Sequence, residues 1–258
     1  QTYKNIMNIF ITHRDGTKEL FNADKINRSI ERATKSLTDP ISMVTQIATD
    51  TRLTLYDGMT TEELDKATIN AAIQNIQYDT DFDKVATRLL LKTIYKKVLG
   101  DYDTDNQSDL ALKHRQNFVS YVQNGVALNR LHPNMVEKYD LDKLASVLDI
   151  SRDDIFLYSG LDGLMKRYSI KNIKQEQTET PQYLFMRIAM GLSYNETNPT
   201  EWAIKFYDKM SRHEFIAGGS TNLASGTNRP SLANCFLLEI HDDMIHIAKS
   251  VSDVMLLS

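Results

Sequence analysis

The chain has 258 residues, of which 41% are hydrophobic and 25% are charged, and this composition is typical of a globular protein. Its net charge of −4 argues against a protein whose main task is to hold a nucleic-acid backbone, because such proteins usually carry a basic field. A single cysteine excludes an internal disulfide framework and a cysteine-rich zinc site, and the six histidines are too scattered to indicate a metal cluster. Since we find neither a run of about 18 to 20 apolar residues nor a secretory signal, we expect a cytoplasmic protein that does not span a membrane.

Residues 8–21 predict a β-hairpin, because two short extended runs flank the sequence His-Arg-Asp-Gly and an Asp-Gly pair favours a tight turn. Asn22 can cap the helix that follows. The apolar side chains expected on one face of this helix are Ile26, Ile30, Ala33 and Leu37.

Three more helices are expected before residue 101. The second covers residues 42–56 and breaks at Asp57-Gly58. The third begins with a capping box formed by Thr60 and Glu63. The fourth covers residues 81–100 and ends with a pair of lysines followed by Gly100, which is typical of a helix C-terminus.

The second half of the chain begins with a polar, acidic stretch at residues 101–109 that predicts a linker. The sequence is then mostly helical to about residue 215. Its clearest helical segments are residues 116–128, 136–148 and 181–193, and residues 164–170 could be an extended piece.

The residue composition of the chain changes at residue 216. Residues 216–231 indicate a loop, residues 234–240 a buried strand, and residues 242–257 a helix. A strand followed by a helix is typical of the start of an α/β domain.

The hairpin and the start of the first helix carry Arg14, Lys18 and Lys25. Cations beside the N–H groups of a helix start are suited to binding phosphate. From the residues alone, a charged turn in solvent is the alternative.

The hairpin pattern, apolar-x-x-Arg-Asp-Gly-x-x-Glu and then Asn-x-x-Lys-Ile, resembles the ATP-cone, a regulatory domain. The resemblance implies that ATP or dATP, with Mg²⁺, binds as an effector. It places around the nucleotide Arg14, Glu19, Asn22, Lys25, Thr61 and Lys96, with Ile11, Thr12 and His13 at the hairpin edge. His13 stands where many relatives have lysine, so we expect one phosphate contact to be weaker or pH-sensitive.

Two later stretches resemble the large subunit of ribonucleotide reductase. Residues 179–193 resemble a helix that precedes the catalytic barrel, although periodicity alone indicates only an amphipathic helix packed in a core. Residues 226–245 resemble the first strand of the family's ten-stranded α/β barrel. The implied fold is mainly α with a short hairpin: an ATP-cone at 1–100, a helical domain at 101–215, and the incomplete start of the barrel at 216–258.

From the sequence pattern alone, the simplest interpretation of Cys235 is a small residue packed in the core. The resemblance instead implies a redox-active thiol whose partner cysteine lies outside these residues or on another chain. Asn234 replaces a usual Ser, and Gly219 occupies the place of a substrate-binding Ser or Thr. Ser220, Thr221 or backbone N–H groups would then contact the substrate.

Asp242 and Asp243 can each cap the last helix. By resemblance, Asp242 would bind the ribose of a specificity effector at a dimer interface, and Met244 would add a backbone contact.

The function implied by the resemblance is that of an aerobic ribonucleoside-diphosphate reductase, which makes deoxyribonucleotides for DNA synthesis by thiyl-radical chemistry. The implied partners are the rest of the large subunit, a second large subunit, a small subunit that holds the metal-radical cofactor, and thioredoxin or glutaredoxin. The alternatives are a stand-alone nucleotide-sensing cone without catalysis, and a cobalamin-dependent or glycyl-radical reductase. Because residues 250–258 stop within an apolar helix pattern, we expect a piece of a larger protein that is inactive alone.

Overall fold

The computed structural model describes residues 9–102 and 106–257. Residues 1–8, which include the first residue of the predicted hairpin, lie outside the described residues, as do 103–105 of the predicted linker and Ser258. The described residues are mainly helical with one two-stranded antiparallel sheet, which confirms the helical class and the hairpin. Within these residues no helix is both long and apolar enough to cross a membrane.

The chain divides into two compact units. The first contains the described residues up to 121 together with 145–184, and the second contains residues 122–144 together with 185–257.

The first unit begins with strands β1 (Phe10–Thr12) and β2 (Lys18–Leu20), which pair with Ile11 opposite Glu19. Gly16 in the turn has a φ of 83°, a left-handed conformation that glycine adopts without steric cost.

Four helices follow the hairpin, and they are α1 (Ala23–Thr34), α2 (Pro40–Leu53), α3 (Thr61–Asn75) and α4 (Asp81–Leu99). The side chain of Asn22 accepts a hydrogen bond from the backbone of Asp24, and Thr60 and Glu63 form the predicted capping box. Helix α2 begins earlier than predicted because Asp39 caps it and Pro40 occupies its first position. Apolar side chains from all four helices form a common core, in which Ile30, Ile47, Ala72, Val85 and Ala86 are fully buried.

The remaining helices, in chain order, are α5 (Gln107–Ala127), α6 (Asn134–Glu137), α7 (Leu141–Val147), a 3₁₀ helix (Ile150–Ile155), α8 (Tyr158–Tyr168), α9 (Pro181–Ser193), α10 (Pro199–Ser211), α11 (Gly219–Ala224) and α12 (Met244–Leu257). Helix α9 covers the residues predicted for it, and α12 confirms the last predicted helix.

Several predictions for the second half of the chain are wrong. Residues 164–168 belong to helix α8, because Leu161 and Met165 lie one turn apart and are both buried on its inner face. Residues 136–148 form two short helices, and the break between them contains Tyr139, whose hydroxyl donates to the carbonyl of Met190. Residues 107–109 belong to α5 instead of a linker, and the predicted loop at 216–231 contains α11.

The strand predicted at residues 234–240 is also wrong for this chain. These residues have no regular secondary structure, and the side chain of Leu237 is 96% exposed. A strand depends on backbone hydrogen bonds to a neighbour, and among the described residues none pairs with this segment.

Candidate functional site

A pocket of about 720 Å³ lies in the first unit, between the hairpin and helices α1, α3 and α4. Its size suits a small-molecule or cofactor ligand. Eight of the nine residues that the resemblance places at a nucleotide or at the hairpin edge line this pocket, and they are Ile11, His13, Arg14, Glu19, Asn22, Lys25, Thr61 and Lys96. The ninth, Thr12, is absent from the lining.

The helix register explains why these residues meet. Residues three or four positions apart lie on the same face of a helix. One such series from each of three helices lines the pocket. Helix α1 and its cap supply Asn22, Lys25 and Ser29, and α3 supplies Thr61, Asp65 and Thr68. Helix α4 supplies Leu89, Lys92 and Lys96.

The turn before α3 fixes the hairpin against the helices. The backbone N–H of Thr12 donates to the carbonyl of Met59 at 2.9 Å, and the N–H of Gly58 donates to the carbonyl of Phe10 at 2.9 Å. Gly58 has a φ of 84°, so the Tyr-Asp-Gly turn needs glycine at this position. These bonds hold the start of α3, including Thr61, beside strand β1.

Glu19 connects the hairpin to α1. Its carboxylate accepts hydrogen bonds from Lys25 Nζ and from His13 Nε2, the latter at 3.0 Å. The hydrogen bond from Lys25, followed by that from His13, lowers the pKa of Glu19 below its usual value. At neutral pH the pocket rim therefore holds a carboxylate already paired with cationic or donor groups.

Sequence reasoning missed several polar residues in the pocket, and three of them, Ser29, Asp65 and Lys92, form a group of their own. Lys92 Nζ donates to Ser29 Oγ at 2.7 Å and lies 3.9 Å from Asp65 Oδ1. Burial is the main cause that lowers the pKa of Lys92. Each of the three is four positions from a predicted residue (Lys25, Thr61 or Lys96), so the helical spacing could have revealed them.

The pocket can therefore hold an anionic ligand. Its cationic side chains are Arg14, Lys25, Lys92 and Lys96, and its carboxylates are Asp15, Glu19, Asp65 and Asp101. Cations beside the capped start of α1 favour phosphate groups, and the carboxylates and hydroxyls can accept hydrogen bonds from ligand donors.

The second unit brings together the residues predicted to contact substrate. Asn234 Oδ1 accepts a hydrogen bond from the backbone N–H of Ser220 at 2.8 Å, and Thr221 Oγ1 donates to the carbonyl of Leu232 at 3.3 Å. Gly219 is the first residue of α11, beside Ser220. Asn234 is thus bound to the start of α11, and Cys235, which follows it, is exposed instead of packed in a core.

The two aspartates before α12 differ in their contacts. Asp243 Oδ1 accepts hydrogen bonds from the backbone N–H groups of Ile245 and His246, at 2.9 and 3.1 Å. Asp243 therefore caps this helix, while Asp242 and Met244, predicted to bind an effector, are exposed beside the cap.

Comparison with known proteins finds two family models in this chain. Residues 9–97 match the ATP cone domain, and residues 156–230 match the ribonucleotide reductase all-alpha domain.

The chain is also similar to named reductase subunits. It is 34% identical over 252 residues to the ribonucleoside-diphosphate reductase subunit alpha of Chlamydia pneumoniae, covering 96% of this chain and 23% of that protein. It is 31% identical over 253 residues to subunit alpha of Helicobacter pylori strain 26695, covering 97% of this chain and 30% of that protein. The ribonucleoside-diphosphate reductase large subunit of Danio rerio is 28% identical over 242 residues, covering 91% of this chain and 28% of that protein. The chain spans less than a third of the length of each of these relatives.

Proposed function

Because this chain belongs to the family of ribonucleotide reductase large subunits, we propose that it is the part of a ribonucleoside-diphosphate reductase that binds the regulatory nucleotides ATP and dATP. The observation that carries the proposal is the convergence on one pocket of eight of the nine residues predicted at the nucleotide or the hairpin edge.

The charged side chains of the pocket suit the polyphosphate of a nucleotide. Arg14, Lys25 and Lys96 come from three different elements of the pocket and can neutralise a polyphosphate. Mg²⁺ would accompany the phosphates, and carboxylates such as Asp15 and Asp101 at the pocket supply oxygen ligands of the kind it prefers.

The reductase activity would belong to the assembled enzyme. Cys235 would supply one of the two reducing thiols, while Asn234 and the Gly219–Thr221 segment would contact the substrate. Asp242 and Met244 would meet a specificity effector where two large subunits associate. A small subunit with a metal-radical cofactor and thioredoxin or glutaredoxin would complete the system in the cytoplasm. The domain boundaries near residues 100 and 215 stay predictions.

Isothermal calorimetry on the 258-residue chain tests the nucleotide site. We expect ATP and dATP to bind. Arg14→Ala and Lys25→Ala should each weaken binding by ~1.5–3 kcal/mol, the usual contribution of a hydrogen bond to a charged group. Lys66→Ala is the matched control, because Lys66 is an exposed lysine on α3 whose side chain pairs with Glu62 outside the pocket lining. If the wild-type chain binds neither nucleotide, the proposed function is wrong.

A further inference from the structure

Helix α4, which carries two of the pocket's lysines, is held along its length by a segment outside the matched cone. The backbone N–H of Tyr158 donates to Asp83 Oδ1 at 2.7 Å. Lys84 Nζ donates to the carbonyl of Asp154 at 2.9 Å, and Arg88 Nε lies 3.7 Å from the carboxylate of Asp154. Residues 153–158 therefore bind the first half of α4 at three positions.

The last turns of α4 are held by a buried carboxylate. Asp153 is only 1% exposed, and its Oδ2 accepts a hydrogen bond from the Tyr95 hydroxyl at 2.5 Å. Its Oδ1 accepts a second bond from Gln182 Nε2, at 2.7 Å. Both carboxyl oxygens thus have a buried donor, and removing one donor would leave an oxygen unsatisfied. Asp153 lies between the two ranges that match family models.

Tyr95 directly precedes Lys96 and follows Lys92 by three positions. In a helix of 3.6 residues per turn, fixing one side chain fixes the rotation of its neighbours about the helix axis. A hydrogen bond constrains that rotation more narrowly than apolar contacts do, because it requires a donor and an acceptor at a defined distance and angle.

We propose that Asp153 is a positioning residue for the nucleotide pocket, which acts through Tyr95 to hold the last turns of α4 so that Lys92 and Lys96 face the ligand. This inference rests on the proposed function of the pocket. It means that nucleotide affinity depends on a residue outside the cone. By linkage, nucleotide binding must in turn stabilise the segment that contains Asp153.

The first test compares two tyrosine variants of the full 258-residue chain. Tyr95→Phe removes the hydroxyl that binds Asp153. Tyr183→Phe removes another buried hydroxyl in the same unit, which donates to the carbonyl of His114 away from the pocket lining. Both variants should lower the thermal midpoint of the chain, but only Tyr95→Phe should weaken ATP binding, by about fivefold or more, the lower end of common coupling between sites.

The second test needs no variant. Hydrogen exchange of the wild-type chain, measured with and without ATP, should show slower exchange for backbone amides of residues 150–156 when ATP is present. If Asp153 had a purely structural role, ATP would slow these amides no more than other buried amides of the first unit, whose exchange slows only through the added global stability.

The outcomes distinguish the nucleotide site from the positioning role of Asp153. If the wild type binds ATP and Tyr95→Phe binds it equally well, or if both tyrosine variants weaken binding equally, Asp153 does not position the pocket, although the nucleotide site stands. Absence of ATP and dATP binding in the wild type would overturn the nucleotide site and this inference with it.

Discussion

Lys92 Nζ lies 2.7 Å from Ser29 Oγ, in the pocket that Lys25 and Lys96 also line, and Lys92 is one turn of α4 from Lys96. Only 32% of the Lys92 side chain is exposed, and burial lowers its pKa from the usual value. A bound anion would stabilise the charged form of this amine, which burial disfavours.

We therefore expect Lys92→Met to weaken the binding of ATP and dATP by ~1.5–3 kcal/mol, as for a hydrogen bond to a charged group. Lys97→Met is the control, because Lys97 is on the same helix but pairs with Glu62 outside the pocket lining. Calorimetry on both variants gives the comparison. Equal affinities for Lys92→Met and Lys97→Met would show that Lys92 does not contact the ligand.

A second prediction concerns His13, at the hairpin edge of the pocket. Its Nε2 lies 3.0 Å from Glu19 Oε2 at an exposed edge of the pocket. His13→Lys adds a permanent positive charge beside the expected phosphates, so ATP should bind more tightly. Solvent screening at this exposed position should limit the gain to roughly 1 kcal/mol. The gain should shrink as salt is raised, and a variant that binds ATP more weakly than the wild type would contradict the expected position of the phosphates.

The pH dependence of stability should report on Asp153. Burial raises the pKa of this carboxyl to about 7, although hydrogen bonds from Tyr95 and Gln182 act in the opposite direction. The folded chain then keeps the proton up to about pH 7, whereas the unfolded chain releases it near the ordinary value of 3.8. Because the folded state binds more protons between these values, its stability falls as the pH rises through this window.

Asp153→Asn removes that contribution. Between pH 5 and pH 7 the wild type should lose more stability than the variant, by at most ~1.4 kcal/mol for each pH unit. His114 contributes with the opposite sign, because burial lowers its pKa to about 3 and stability is lost as the pH falls below about 6.5. Since His114 is present in both proteins, the difference in urea unfolding between them isolates Asp153. Parallel pH profiles would mean that Asp153 is ionised throughout.

The sequence predicted the features that depend on local chemistry. The hairpin follows from Asp15-Gly16, the start of α3 from the pairing of Thr60 with Glu63, and the end of α4 from Gly100. The pocket residues could be predicted because the motif resemblance and the helical spacing both indicate the hairpin and the same faces of α1, α3 and α4.

Features that depend on distant partners could not be predicted. The Tyr95–Asp153 bond joins residues 58 positions apart, and the sequence around Asp153 resembles an ordinary polar turn. Residues 234–240 have the apolar composition of a buried strand, but composition cannot supply the neighbouring strands that would pair with it.

Cys235 provides the last prediction, which has two parts. Its thiol is exposed, so in the folded 258-residue chain it should react with a thiol reagent as fast as in the urea-unfolded chain.

In an assembled reductase that contains the remaining part of the large subunit, Cys235→Ser should abolish turnover with thioredoxin. A hydroxyl cannot form the disulfide through which we propose that the electrons pass, while the similar size of serine should leave folding and ATP binding unchanged. The measurements are thiol counting before and after one round of substrate without reductant, and calorimetry with ATP on the variant. If Cys235 remains a free thiol after turnover and the Ser variant keeps full activity, the redox role is wrong, whereas the nucleotide site is judged by its own binding experiment.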